Sequence, residues 1–178
     1  MVTVYTDGAA SGNPGPGGYG AVLESGKHRK ELWGGYRLTT NNRMELLAVI
    51  AGLESLKRSG TEVTVVSDSK YVVDSVDKGW VFDWEKKGFA KKKNPDLWKR
   101  FLVAYRKHRV RFQWVRGHNG HPQNELCDRL AVAASQQKEL AVDEAYERGE
   151  PGLFGDCPRP SRLYSSAPAM PAKLFATI

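Results

Sequence analysis

Residues 61–76 read TEVTVVSDSKYVVDSV, from Thr61 to Val76. The β-branched run Thr61–Ser67 has the composition of a parallel strand buried on both faces. Asp68 ends it, and Ser69–Val76 follows as a short helix. Strand, carboxylate and helix in immediate succession put the acid at the carboxyl end of a strand, where open α/β sheets place their ligands. The N-terminus repeats the design: Val2–Thr6 (VTVYT) is strand-like and stops at Asp7. If the two strands are adjacent and parallel, Asp7 and Asp68 share one edge of the sheet.

Working outward, the Gly/Pro-rich residues after Asp7 predict a turn or hairpin entry. Tyr19–Glu24 and His28–Leu38 predict two further strands, joined at Ser25-Gly26. Asn41–Ser59 predicts a helix whose apolar residues cover nearly its whole circumference, which marks a helix buried against a sheet. Pro95–Lys107 predicts a helix opened by Asn94, with proline at its first position. Arg109–Val115 predicts a strand, and Pro122 to about Ala145 a last helix. Strands first, then α/β alternation, define an α/β chain with a mixed sheet and helices packed on it. Five of the nine prolines lie between Pro151 and Pro171. The expected division is therefore a domain over 1–145 and a proline-rich extension over 146–178.

No apolar run reaches the roughly 18 residues of a membrane span, and MVTVYTDG lacks the basic start of a signal peptide. Cys127 and Cys157 have neither disulfide-framework nor metal spacing, so a reduced, cytoplasmic setting is expected; a monomer is the default expectation. The net charge of +7 is local: Glu85–Arg111 holds 11 Lys/Arg against two acids. Trp80, Phe82, Trp84, Phe89 and Trp98 lie in or beside this run. A charge run is usually a solvated helix face, but basic residues interleaved with aromatics suit nucleic acid.

Four acids stand out: Asp7, Glu45, Asp68 and Asp128. Each has an ordinary explanation. Asp7 starts a turn, Glu45 completes a capping box with Asn42, Asp68 caps the helix after it, and Asp128 is a surface acid. Gathered at one edge, however, four carboxylates repel unless a cation lies among them. Hard oxygen donors of this kind suit Mg²⁺ or Mn²⁺.

Six segments in order, TDGAASGNPGPGGYGAVL, TTNNRMELLAVIAGLESL, SDSKYVVDSV, W-x-x-x-W-x-x-x-G-F, NPDLW and WVRGHNGHPQNELCDRLA, resemble ribonuclease H type 1 of the bacterial kind over roughly residues 2–137. The resemblance implies the ribonuclease H-like fold, with a five-stranded mixed sheet. It also implies an endonuclease that cuts the RNA strand of an RNA–DNA hybrid with two Mg²⁺ ions, leaving 5′-phosphate and 3′-hydroxyl ends. Carried over, Asp7 bridges the ions, Glu45 and Asp68 hold the nucleophile-side ion, and Asp128 holds the other. His118 assists protonation or product departure. Glu45 is also the implied acceptor of a 2′-hydroxyl, the group that separates RNA from DNA. Asn13, Asn41 and Asn42 match minor-groove contacts, and Thr40 and Asn94 match a DNA-phosphate pocket. Trp80, Trp84 and Phe89 match the aromatic face of a basic protrusion, with Lys86, Lys87 and Lys91 on phosphates; Trp98 is assigned to packing.

Lys70 and Phe89 depart from the glutamine and tryptophan common in bacterial members, and Lys70 adds a candidate phosphate contact. The alternatives are a binding module that kept the fold without catalysis and a resolvase-like DNA nuclease. The four acids argue against the first, and the basic aromatic segment against the second.

Overall fold

The computed structural model describes residues 1–117 and 120–149. Five strands form one sheet: β1 (Val2–Ala10), β2 (Gly15–Ser25), β3 (His28–Thr39), β4 (Glu62–Ser67) and β5 (Arg109–Trp114). The order is β3-β2-β1-β4-β5. β1, β2 and β3 pair antiparallel, while β4 lies parallel to β1 and to β5. The expected α/β mixed sheet is thus observed. β1 is longer than its β-branched start, because Asp7–Ala10 keep pairing with Gly17–Gly20 of β2. The parallel ladder with β4 ends at Thr6↔Ser67. Asp7 and Asp68 therefore sit where β1 and β4 part, as the two strand ends implied.

Among the described residues six helices follow in chain order: α1 (Asn41–Glu54), α2 (Lys70–Asp77), α3 (Trp80–Lys86), α4 (Pro95–Tyr105), α5 (Pro122–Ser135) and α6 (Glu144–Glu147). α1 lies on one face of the sheet, with Leu46, Val49, Ile50 and Leu53 in a core shared with Val4, Val63, Val65, Trp98 and Phe101. α5 covers β1, β2 and β3 on the other face. It can do so because Gly20 carries no side chain: a Cβ there would strike the Cys127 carbonyl of α5.

Three helix expectations are corrected. α1 stops at Glu54, short of Ser59, where Ser55 turns its hydroxyl back to the Gly52 carbonyl at 2.9 Å. α4 stops at Tyr105, short of Lys107, and Arg106 closes it. α5 stops at Ser135, short of Ala145. Beyond it the backbone takes up the free edge of β3, with Ala141 N–H on the Gly35 carbonyl and Arg37 N–H on the Ala141 carbonyl, both at 2.9 Å. Pairing a vacant strand edge satisfies backbone groups that a continued helix would leave unmatched on β3. α6 then crosses the expected 145/146 boundary, and Arg37 ties its Glu147 to β3 at 2.7 Å.

Candidate active site

The capping groups differ from the simplest sequence reading. Thr40, and neither Asn41 nor Asn42, is the N-cap of α1, its hydroxyl accepting from Arg43 N–H at 3.3 Å. Ser69, and not Asp68, caps α2 by accepting from Val72 N–H. Glu45 and Asp68 are thereby released from capping. Asp7 keeps one local bond, accepting from Gly8 N–H at 2.8 Å.

Asp7, Glu45 and Asp68 converge, each offering one carboxylate oxygen, with these oxygens all within 4.8 Å of one another. Gly8 sets the approach of α1 to β1, since a Cβ there would land on the Glu45 amide nitrogen and the Met44 carbonyl carbon. Asp7 and Glu45 are each only 6% exposed. Glu45 Oε2 and Asp68 Oδ1 are buried without a hydrogen-bond partner among the described residues. Burial, then the charge of Asp68, raises the Asp7 carboxyl to about 7, against the pull of the Gly8 N–H; Asp128 adds to the rise. Burial and then Asp7 and Asp68 raise Glu45 well above the carboxylate range, with Asn41 and Gly8 pulling the other way. Orphaned, mutually repelling oxygens in a buried cluster fit a hard divalent cation.

Asp128 stands on the second turn of α5, near enough for its charge to raise Asp7 but outside the 4.8 Å group. The expected set of four is thus a tight trio with one acid alongside, because Asp128 approaches from the opposite face of the sheet. His118 lies outside the described residues.

Around the trio, Asn13 accepts from Asn41 N–H at 3.3 Å, so the hairpin loop and the start of α1 meet. Asn42 is exposed beside them. Asn94 is buried, held by Arg43 Nη1 at 3.3 Å and by the Tyr71 hydroxyl at 3.0 Å. Its side-chain oxygen and one amide hydrogen are thus engaged, and its backbone carbonyl accepts from Trp98 N–H at 3.0 Å. Trp80 is 44% exposed, with Lys78 Nζ 4.9 Å from its ring centre. Trp84 is half-buried, edge-on to Trp98 on one side and under Lys92 on the other. Lys86, Lys87 and Lys91 are exposed. Phe89 is a correction: it is 5% exposed and packs in the core, so it offers no ring to a ligand. The Trp98 assignment to packing stands, since Trp98 is fully buried with its indole N–H on the Tyr71 hydroxyl at 2.9 Å.

Sequence reading missed two features. Trp114, level with Ser67 across the β4/β5 ladder, donates its indole N–H to the Asp68 carbonyl at 3.1 Å and lies under Lys70. Arg43 is 1% exposed and bound by Asp96 and Asp143. Its signal was present: an arginine inside a helix otherwise apolar all round has to find buried partners.

A mixed sheet of this order, with three carboxylates gathered where two parallel strands part, defines a metal-dependent enzyme of the ribonuclease H-like fold. A family model described as RNase H matches residues 1–136. The chain is 56% identical over 151 residues to a ribonuclease H of Rippkaea orientalis, covering 82% of this chain and 92% of that protein. It is 51% identical over 151 residues to the ribonuclease HI of Synechocystis, covering 82% and 94%. Among solved structures, LC9-RNase H1, described as a type 1 RNase H with the type 2 active-site motif, aligns with a TM-score of 0.69 at 36% identity, covering 82% of this chain and 78% of that one. The chain belongs to the RNase H family.

Proposed function

We propose that this chain cuts the RNA strand of RNA–DNA hybrids at the Asp7–Glu45–Asp68 cluster, with Asp128 as the fourth acid and Mg²⁺ as the working ion, Mn²⁺ substituting. The observation that carries the reading is the pair of orphaned, buried oxygens on Glu45 and Asp68 beside Asp7. When bound, divalent ions there supply an activated water and charge neutralisation at the leaving 3′ oxygen, so that products carry 5′-phosphate and 3′-hydroxyl ends. The protein's share is placement. Asp7 feels the charges of both Asp68 and Asp128, so it would serve as the ligand common to the two sides of the site. Glu45, at the start of α1 beside Asn41 and Asn13, faces the side from which a 2′-hydroxyl would be read. Thr40 accepts from the Arg43 N–H, which leaves its own hydroxyl proton for a phosphate oxygen. Lys78, Trp80, Trp84, Lys86, Lys87, Lys91 and Lys92 offer an exposed cationic and aromatic flank to the duplex backbone. His118 is assigned to proton transfer at product departure.

Residues 1–145 are taken as the catalytic domain and 146–178 as an extension. The working unit is taken as a cytoplasmic monomer. Among the described residues no helix is long and apolar enough to cross a membrane. Cys127, its thiol pushed up to about 12 by burial, is a packing residue.

The test is a panel of four substrates with Mg²⁺: hybrid, double-stranded RNA, double-stranded DNA and single-stranded RNA. Cleavage of the hybrid's RNA strand alone is expected. Cutting of double-stranded DNA would replace this reading with the resolvase-like one, and binding without cutting would replace it with a catalytically silent module.

A further inference from the structure

Arg43 uses all five of its side-chain donors. Nε and Nη2 donate to the two carboxylate oxygens of Asp143, both at 2.7 Å. Nη1 and Nη2 donate to Asp96 at 2.9 and 2.7 Å, and Nη1 also donates to Asn94 Oδ1 at 3.3 Å. Thr39 adds its hydroxyl to Asp143 at 2.7 Å. One guanidinium thus binds the start of α4 and the N-cap of α6 to the first turn of α1, and Thr39 ties the end of β3 to the same Asp143. Asp143 lies past the last residue of the family-model match.

Two residues further along the same turn, Glu45 enters a cluster that pushes it away. One of its carboxylate oxygens lies within 4.8 Å of oxygens of Asp7 and Asp68, and like charges held that close repel. Gly8 permits that close approach but does not enforce it. An attachment on the far side of the turn has to resist the push, and the Arg43 cluster is placed there. It also grips Asn94, so a candidate phosphate contact and the acid cluster share one mechanical link.

We propose that Arg43 and Asp143 form a latch that seats the first turn of α1 against β1, making Arg43 a positioning residue for Glu45 and residues 137–145 a working part of the site. This rests on the reading of the acid trio as an ion site. Outer-shell partners bonded directly to a metal ligand contribute about 10–100-fold in metal affinity; the Arg43 cluster acts one step further out, through the turn that carries Glu45, so its loss is expected to cost the lower end of that range. A latch serving stability alone would leave the ion site of a folded variant unchanged.

The experiment uses the full chain as wild type, Asp143→Asn and Thr39→Val. Mn²⁺ affinity is measured by calorimetry without substrate, folding by circular dichroism, and kcat and KM on the hybrid. Asp143→Asn, folded at low temperature, is expected to bind Mn²⁺ about tenfold more weakly, to lose kcat at moderate Mg²⁺ and to regain part of it at high Mn²⁺. Thr39→Val should move the same way by less. If Asp143→Asn does not fold, Thr39→Val is decisive. A folded variant that melts earlier but keeps wild-type Mn²⁺ affinity and kcat overturns the latch. If the wild type fails to cut the hybrid, the proposed function falls, while the Mn²⁺ titration still reads the latch.

Discussion

The first turn of α1 carries two buried charges with opposite fates. Arg43 is enclosed by two carboxylates and an amide, with every donor matched. Glu45, in the same turn, is enclosed by like charges and keeps an oxygen with no partner among the described residues. Both are nearly inaccessible to water, so the difference lies in satisfaction and not in depth. A matched cluster contributes to holding one conformation. An unmatched one destabilises the protein until a ligand completes it, which is the mark of a site built for something absent from the chain itself.

The largest expected effect breaks that contrast from the unmatched side. Asp7→Asn removes a ligand and about 4 kcal/mol of electrostatic help, which corresponds to about a thousandfold loss of kcat in a hybrid-cleavage assay. The same change should stabilise the metal-free protein. The folded Asp7 carboxyl is raised to about 7 from an ordinary value of 3.8. Its proton is therefore held more tightly in the folded than in the unfolded state. Its contribution is fully present below pH 3.8 and is lost as pH rises through about 7. Thermal melts in chelator should show wild-type stability falling between pH 4 and 8, with a flatter profile for Asp7→Asn, and Mg²⁺ restoring wild type alone at pH 8. Equal pH profiles for the two proteins would show that Asp7 has no such frustrated charge.

The second break is mechanical. Gly8→Ala places a methyl against the backbone of Met44 and Glu45, where no side-chain rotation can relieve it. The start of α1 has to move. A displacement of about 1 Å at a reacting group costs about a hundredfold in rate, and overpacking of this kind costs about 1–3 kcal/mol of stability. By contrast Gly60→Ala, where a Cβ meets nothing within 4 Å, is expected to spare kcat and to lose stability only through its φ of 75°. Measured kcat and chemical denaturation separate the two. Equal kcat losses would remove the close approach at Gly8 from the argument.

The acid trio was legible because strand ends are legible. The β-branched runs before Asp7 and Asp68 define where each strand gives way, and parallel pairing then makes their edges coincide. Glu45 followed because a helix apolar on all sides has to pack on that sheet. The latch was not legible, since Asp96 and Asp143 lie 53 and 100 residues from Arg43. Local pattern gives no measure of which distant acid will meet a buried arginine. Phe89 was misread for a related reason. A ring in a run of lysines suggests an exposed aromatic face, but the turn at a φ of 57° swings it back under the helices into the core.

The smallest expected effect concerns charges that are neither matched nor frustrated, because water already surrounds them. Lys86, Lys87 and Lys91 are exposed, and Lys86 meets Asp83 only at 4.0 Å. Replacing all three with serine should leave the melting temperature nearly unchanged, as exposed pairs contribute about 0–1 kcal/mol. At low salt kcat should hold, with the cost appearing in KM. Each phosphate contact contributes about 0.7–0.9 to the slope of log affinity against log salt. The triple variant should therefore bind hybrid with a slope shallower by about 2–3 if all three lysines touch the backbone. A salt titration of hybrid affinity with catalysis blocked by Ca²⁺ or chelator measures this directly. An unchanged slope would mean that the duplex avoids this flank, and Trp80, stacked under Lys78 on the same exposed face, would lose its assignment with it. A slope change accompanied by a large fall in melting temperature would instead place these lysines with Arg43, among the charges the fold depends on.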